Sequence, residues 1–536
     1  MAETVLRGVC AVHPSDRGLH YEVDGPGPRV LDVHFDGRRV WSFADQGEPV
    51  PAGQAGETAS SDLLRFQPWP ASLVPFLRGR VRVGLGEVGS APVESVVDLG
   101  RSAETLRLAD RYGRPLVVNK WGRLGHALAD APDGLVDRML DSMDRIREVL
   151  ESSLGPRVFV TGGTLLGPVR EGGRVMAHDD DADLAYLSDH EHPADVALEN
   201  FRLGRALAEA GFEVLRLSIG HLQVVFDHEG VPDHYVDVFT GFLMEGCWYQ
   251  HFAIRTSAVR EDLLPPRTLL VEGRPEPAPR DPEFMLEQIY GPGWRIPDPS
   301  YTFDVPPATG GRFYGWFADY NVEREQWEDV VLLAPDGRTP GSRTGMSAFA
   351  RSVHVSTPAD SAILDLGAGL GSDAIALASA GRTVRGVDYS RHALRLAREA
   401  AAQASADVRF DVLNLLDPRA VIRLGATLAA GPDTWTVYGR RLLNALEDRG
   451  RDNVFRLCAM LLRRGTTAHF DLVTDHDYTG IPAHRHLDPE QVVEEARQHG
   501  LELDEAVLRT EPITWFDAPD ERLVQTCRMT FRRRTR

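Results

Sequence analysis

A chain of 536 residues is too long for one hydrophobic core and implies about three domains of ~100–200 residues each. Its 79 acidic and 59 basic residues leave a net charge of −20, which excludes general affinity for nucleic acid or anionic lipid, since both need positive surface. Lys120 is the only lysine, as a high-GC coding bias would produce, so arginine is expected to handle any phosphate. The cysteines Cys10, Cys247, Cys458 and Cys527 form no C-x-x-C pair, so neither a zinc knuckle nor a disulfide scaffold is indicated. No apolar leader and no run of ~18 apolar residues is present, so the expected location is cytoplasmic, or peripheral at the inner face of a membrane through a partner or a lipid-linked substrate.

Residues 1–128 read as short strands broken by turns, among them LHYEVD, RVLDVHFDGRRVWSFAD, RGRVRVGLG and ESVVDLG. Their alternation suits an antiparallel sheet or sandwich acting as an accessory domain. His13, Trp41 and Trp69 can line a carbohydrate surface there, or belong to its core. A second domain spans 129–328. It opens on an amphipathic helix at about 134–155, with Leu135, Met139, Met143, Ile146 and Leu150 at helical spacing. A strand, VFVTGG, follows and ends in a glycine pair. The stretch 329–345 has the Pro/Gly/Ser content of a linker. From 346 to 536, strands and helices alternate as in a parallel, doubly wound sheet.

The second domain's chemistry is concentrated at 162–183. After Gly162, Gly163 and Thr164 comes a polar loop carrying Arg170, then His178 and four acids: Asp179, Asp180, Asp181 and Asp183. On a strand, alternate residues share a face, so Asp179, Asp181 and Asp183 are expected together and Asp180 opposite. Carboxylates so crowded repel one another unless a hard cation such as Mg²⁺ or Mn²⁺ lies between them. Asp237, flanked by the apolar Val236, Val238 and Phe239, supplies a further carboxylate that is costly to bury alone. The glycine pair lets backbone N–H groups approach a phosphate. These parts describe metal-assisted phosphoryl or nucleotidyl transfer. Arg170 reads as a phosphate partner or a surface ion pair. His178 reads as a general base or phosphate contact, and His221 and His234 are lesser candidates.

This stretch resembles the LicD family, the group that includes bacterial phosphocholine transferases and the fukutin-related proteins. The resemblance rests on GTLLG at 163–167, Arg170, HDDDAD at 178–183, VDVF at 236–239 and YGPGW at 290–294. It implies a nucleotidyltransferase-like α+β fold, with Asp181 and Asp183 as the metal-binding pair, Asp237 as the third carboxylate and Asp179 assisting. It also implies a CDP-linked alcohol as donor and a glycan or lipid-linked glycan as acceptor. The family's tryptophan before the acids is His178 here, and the loop before them carries one extra glycine, so the acceptor side is where this chain departs.

A second signature, LDLGAGLG, places Gly367, Gly369 and Gly371 directly after a strand and the acid Asp365 before them. Asp388 ends the next strand, where a carboxylate can accept both ribose hydroxyls, and Asp411 is expected at the adenine edge. The region resembles the class I S-adenosylmethionine-dependent methyltransferases, which implies a Rossmann-like fold and S-adenosylmethionine as methyl donor. Tyr438, Arg440 and Arg441, after the strand bordering the acceptor side, are candidate acceptor contacts or members of a helix-start salt bridge. The expectation is a multidomain α/β enzyme that transfers a phospho-alcohol to a glycan and methylates that glycan or its substituent. The alternatives are a methyltransferase of small metabolites that uses the LicD-like domain for recognition, and a non-enzymatic glycan-binding scaffold.

Overall fold

The computed structural model describes residues 8–24, 28–46, 64–333, 345–462, 465–474, 485–513 and 522–534. Two compact units divide the chain, Met1–Asp319 and Tyr320–Arg536. The expected linker lies mostly at 334–344, outside the described residues.

The first unit opens with two small antiparallel sheets. One holds Val9–Ser15, Gly18–Val23 and Leu64–Pro68; the other holds Arg38–Asp45, Arg29–Phe35, Gly79–Glu87 and Val93–Leu99 in that order. Asp36 and Gly37, both with positive φ, make the two-residue turn that lets Arg29–Phe35 pair with Arg38–Asp45. Alternate residues such as Leu31, Val33, Val83 and Leu85 are buried as the core. Trp69 joins that core, with its indole N–H donating to Ser15 O at 2.8 Å. It therefore belongs to the packing and not to a carbohydrate surface. His13 is exposed and Trp41 half-buried. A short hairpin, Val117–Val118 and Leu124–Gly125, ends this module.

Helix Leu135–Leu154 follows, and its five predicted apolar positions are all buried. It covers a mixed sheet ordered Val158–Val160, Ala182–Leu187, Val231–Met244, His221–His228, Glu213–Ser218. The central pair, Ala182–Leu187 and Val231–Met244, is parallel, and its register sets Asp183 opposite Asp237. The acid run and the V-D-V-F segment thus meet side by side.

The second unit's sheet runs Val408–Val412, Val384–Asp388, Ala362–Leu366, Trp435–Arg440, Thr467–Val473, Arg522–Arg533, Leu501–Ile513. The first five strands are parallel. Arg522–Arg533 pairs antiparallel with both Thr467–Val473 and Leu501–Ile513, so it alone runs against the other six and the sheet is doubly wound with one reversed strand near its edge. Such a strand is common on large parallel sheets.

Candidate functional site

The glycine pair does not lead into a loop. Gly162–Arg170 is a nine-residue helix, so Arg170 sits about 12 Å along the axis from Gly162. There Arg170 pairs with Glu171 at 2.9 Å and approaches Trp294 O at 3.4 Å. Of the two readings open for it, the arginine here makes the ion pair, at the far end of the helix. The start of the helix faces the carboxylates. Gly163 N–H donates to Asp183 Oδ2 at 2.8 Å, and Thr161 N–H to Asp183 O at 3.1 Å. Thr164 Oγ1 accepts from Asp183 N–H at 2.8 Å, so Thr164 holds the backbone of the acid strand.

The reason for two glycines is steric. A Cβ on Gly162 would overlap the Asp183 carboxylate, and one on Gly163 would overlap that of Asp179. Gly162 also has φ +52°, which side-chain-bearing residues rarely adopt. Gly163→Ala should therefore displace Asp179 and weaken Mn²⁺ binding roughly tenfold, measured by calorimetry. Unchanged affinity would mean that Asp179 is not needed there.

The strand starts only at Ala182, so the period-two argument does not reach back to Asp179 and Asp180. In the turn that precedes it, Asp179, Asp180 and Asp181 offer oxygens within 4.8 Å of one another, and so do Asp181, Asp183 and Asp237. Asp180 is thus in the cluster and not on the opposite face, as expected from alternation. Its Oδ2 lies at 3.0 Å from where a Cβ of Gly125 would stand. Burial, with Asp183 and Asp179 adding to it, raises Asp181 well above the usual carboxylate range. Burial first, then Asp179 and Asp237, pushes Asp183 up to about 7 against the opposing pull of Lys120. Asp180 is pushed up to about 6, again chiefly by burial. Among the described residues, Asp181 Oδ1 is buried with no hydrogen-bond partner. An all-oxygen set of this kind, short of positive charge and with an oxygen to spare, fits a hard divalent cation.

Around this cluster, Gln223 Nε2 donates to Asp237 Oδ1 at 3.1 Å, and His221 Nε2 lies 3.2 Å from the same oxygen. His178 is exposed, and its charged neighbours are Arg39, Asp32, Glu171 and Asp130 instead of the carboxylates. His234 is taken up by Asp233 and Ser142. The cation that does reach the cluster is one that sequence reasoning passed over. Lys120 Nζ lies 3.5 Å from Asp179 Oδ1. Burial would lower its pKa, yet Asp179 and Asp181 carry it well above the ordinary value. Its being the sole lysine was the available signal.

In the second unit the glycine loop follows strand Ala362–Leu366 and opens helix Ser372–Ser379. Gly367, Gly369 and Gly371 all have positive φ. A Cβ on Gly371 would stand 2.6 Å from the Phe410 ring. Asp388 ties the loop down: its Oδ2 accepts Gly369 N–H at 2.9 Å and its Oδ1 accepts Ser390 N–H at 2.8 Å. Burial, opposed by those N–H groups, pushes it up to about 6. Asp365 is raised well above its usual range by burial and then by Asp373. Asp411, expected at the adenine edge, pairs with Arg385 at 2.8 Å and Arg409 at 2.9 Å. Tyr438 joins a network at a helix start, the second of the two readings open for it. It is buried, stacks on Phe349, and donates to Asp373 Oδ2 at 2.7 Å. Arg440 Nε pairs with the same oxygen at 2.9 Å, and Ser347 N–H and Oγ–H donate to the Asp373 carboxylate. Asp373 was not singled out from the sequence, although an acid one residue into the helix after the glycine loop was a usable sign. Arg441 has φ +58° and donates its N–H to Asp471 O at 2.7 Å.

Among the described residues no helix is long and apolar enough to cross a membrane. Residues 155–281 match the family model described as LicD/FKTN/FKRP, nucleotidyltransferase domain, and residues 363–465 match that of a methyltransferase domain. A comparison with curated proteins finds no match. Similar solved structures include a SAM-dependent methyltransferase from Methanosarcina mazei, 16% identical over 36% of this chain and 100% of that one, with a TM-score of 0.28. A TehB-like SAM-dependent methyltransferase from Corynebacterium glutamicum is 18% identical over 40% of this chain and 98% of its own, with a TM-score of 0.27. One from Anabaena variabilis is 12% identical over 40% and 95%, with a TM-score of 0.32. At such scores the likeness adds nothing to the family match. The chain joins a nucleotidyltransferase domain of the LicD/FKTN/FKRP family to a methyltransferase domain.

Proposed function

We propose that this is a bifunctional glycan-modifying enzyme. Its first domain moves a phospho-alcohol, such as phosphocholine or ribitol phosphate, from a CDP-linked donor to a glycan hydroxyl. Its second methylates the same glycan or its substituent from S-adenosylmethionine. The observation that carries the first half is the pairing of Asp183 with Asp237 on adjacent parallel strands, beside Asp181 and under the Gly162–Gly163 helix start. Held by Asp181, Asp183 and Asp237 with Asp179 alongside, Mg²⁺ or Mn²⁺ would neutralise the donor's diphosphate and make its phosphorus easier to attack. The transfer breaks the phosphoanhydride P–O bond and the acceptor O–H bond, forms a phosphodiester to the acceptor oxygen, and releases CMP and a proton. The chain's own contribution is to hold Asp183 in place, through Gly163 N–H on its carboxylate and Thr164 Oγ1 on its backbone N–H.

In the second domain, Asp388 fixes the glycine loop and keeps a lone pair free for a ribose hydroxyl. The sulfonium is already activated, so in-line placement of the acceptor supplies much of the rate. Asp373 holds Tyr438 and Arg440 at the end of their strand. Arg440 and Arg441 are the groups we assign to the acceptor side.

The test is CMP release from a panel of CDP-linked alcohols with Mn²⁺ and cell-envelope glycan extract. Turnover of one donor class is expected and would name the alcohol. No turnover across the panel, with S-adenosylmethionine still bound, would favour the methyltransferase-centred reading.

A further inference from the structure

We propose that Lys120, delivered by the accessory module, binds the phosphate oxygens of the donor's diphosphate, so that the transferase site is complete only with the N-terminal module. This rests on the transferase reading above.

Every other basic residue of the chain is arginine, and the single lysine stands beside the acid cluster, although 59 positions carry a basic side chain. It lies outside the matched family region, which starts at residue 155. The backbone that presents it is built for that position. Lys120 sits in the turn between Val117–Val118 and Leu124–Gly125. Asn119 Oδ1 closes that turn by accepting Trp121 N–H at 3.0 Å and Arg123 N–H at 3.2 Å. Lys120 O accepts Phe303 N–H at 3.1 Å, and the Trp121 ring lies 4.8 Å from that of Phe303. The chain just after the hairpin is bonded to the acid run itself: Leu128 N–H donates to Asp179 O at 2.9 Å and Ala129 N–H to Ala177 O at 2.8 Å. The hairpin is therefore part of the wall around the carboxylates.

The chemistry then selects the ligand. The 3.5 Å separation of Nζ from Asp179 is a charge contact longer than a good hydrogen bond, and the side chain keeps 28% of its surface exposed. A carboxylate set that takes up a divalent ion no longer needs the ammonium as counter-ion. A lysine has a flexible stem and three rotatable donors, so it can turn to an anion arriving over the metal without moving its backbone. The other feature here is a helix start whose Gly163 N–H is already given to Asp183. Arg170, expected to do this work, is engaged at the other end of that helix. Among the groups described at the cluster, Lys120 is the cation placed to meet a diphosphate.

The sole lysine also makes the test clean. Succinimidyl acetate can label two kinds of amine in the full chain, Lys120 and the α-amine, and peptide mass spectrometry reads both. With Mn²⁺ present, added inorganic pyrophosphate or CDP should slow Lys120 labelling on the order of tenfold or more while the α-amine is unaffected. Equal labelling with and without a diphosphate that calorimetry shows to be bound would overturn the proposal while leaving the transferase reading intact. If neither diphosphate binds the Mn²⁺-loaded protein, the transferase reading fails and takes this inference with it. Lys120→Met keeps the stem and removes the charge. It should bind Mn²⁺ at least as well as wild type and bind CDP on the order of tenfold more weakly, as loss of a charge-assisted bond implies. It should raise KM for the donor more than it lowers kcat. A variant that melts earlier without metal but binds CDP like wild type would assign Lys120 a purely structural role.

Discussion

Replacing Asp181 with asparagine should cut CMP-releasing turnover by about a thousandfold or more, while making the metal-free protein more stable at neutral pH. Both effects have one cause. Asp181 stands in both oxygen groups of the cluster and is the member with an unpartnered buried oxygen. Removing its charge takes away a ligand and also relieves repulsion from Asp183 and Asp179. The pH dependence follows. Asp180 and Asp183 have folded-state values raised to about 6 and about 7, above the ~3.9 of an unfolded aspartate. Such groups bind protons more tightly when folded, so their contribution is fully present below about pH 4 and is lost as pH rises through about 6 to 7. The first unit of the metal-free protein should melt at progressively lower temperature over that window, then level off. Saturating Mn²⁺ should restore the wild type at pH 8 and do little for Asp181→Asn. Scanning calorimetry from pH 4 to 8, with and without Mn²⁺, measures this. A melting temperature that rises with pH in the metal-free protein, or full turnover by the variant, would sink the assignment.

What could be read from the sequence was what is local. Two glycines, four acids and V-D-V-F announce themselves because each is a short pattern tied to one backbone geometry. The structure gives the glycines a stronger reason than phosphate approach, since the carboxylates occupy the volume their Cβ atoms would take. Period-two reasoning misplaced Asp180 because it assumed a strand that begins only at Ala182. Arg170 was expected in a loop because Gly162–Arg170, with three glycines and a proline, reads as loop by propensity; tertiary packing of Leu165 and Leu166 makes it a helix. Lys120 lies almost sixty residues before the acids, and no local pattern predicts that a hairpin of the preceding module packs on them. In the second unit, the glycine loop and Asp388 were legible for the same local reason. Tyr438 and Asp373 were not, because their hydrogen bond joins a strand end to a helix start 65 positions apart.

Asp388→Ala should lower S-adenosylmethionine affinity about a hundredfold or more, the largest effect expected in the second domain. A carboxylate has roughly four acceptor sites; Gly369 N–H and Ser390 N–H each take one, and Tyr389 N–H also bears on the group. What remains is left for a ribose hydroxyl, and a bond to a charged acceptor contributes about 1.5–3 kcal/mol. Alanine forfeits that bond and also unties the loop, leaving the N–H groups without their acceptor. Asparagine is no mild substitute: its amide must present an NH₂ to one of two backbone donors. The same geometry sets a pH limit. Burial pushes Asp388 up to about 6, and a protonated acid cannot accept on every side. Wild-type affinity should therefore fall as pH drops through about 6, whereas the stability this group lends the unliganded protein runs the other way, lost as pH rises through the same value. Titration calorimetry at pH 5 and pH 8 separates the two. Equal affinity at both, together with unimpaired binding by Asp388→Ala, would mean that the cofactor does not sit on this loop, and the methylation half of the proposed function would fall with it.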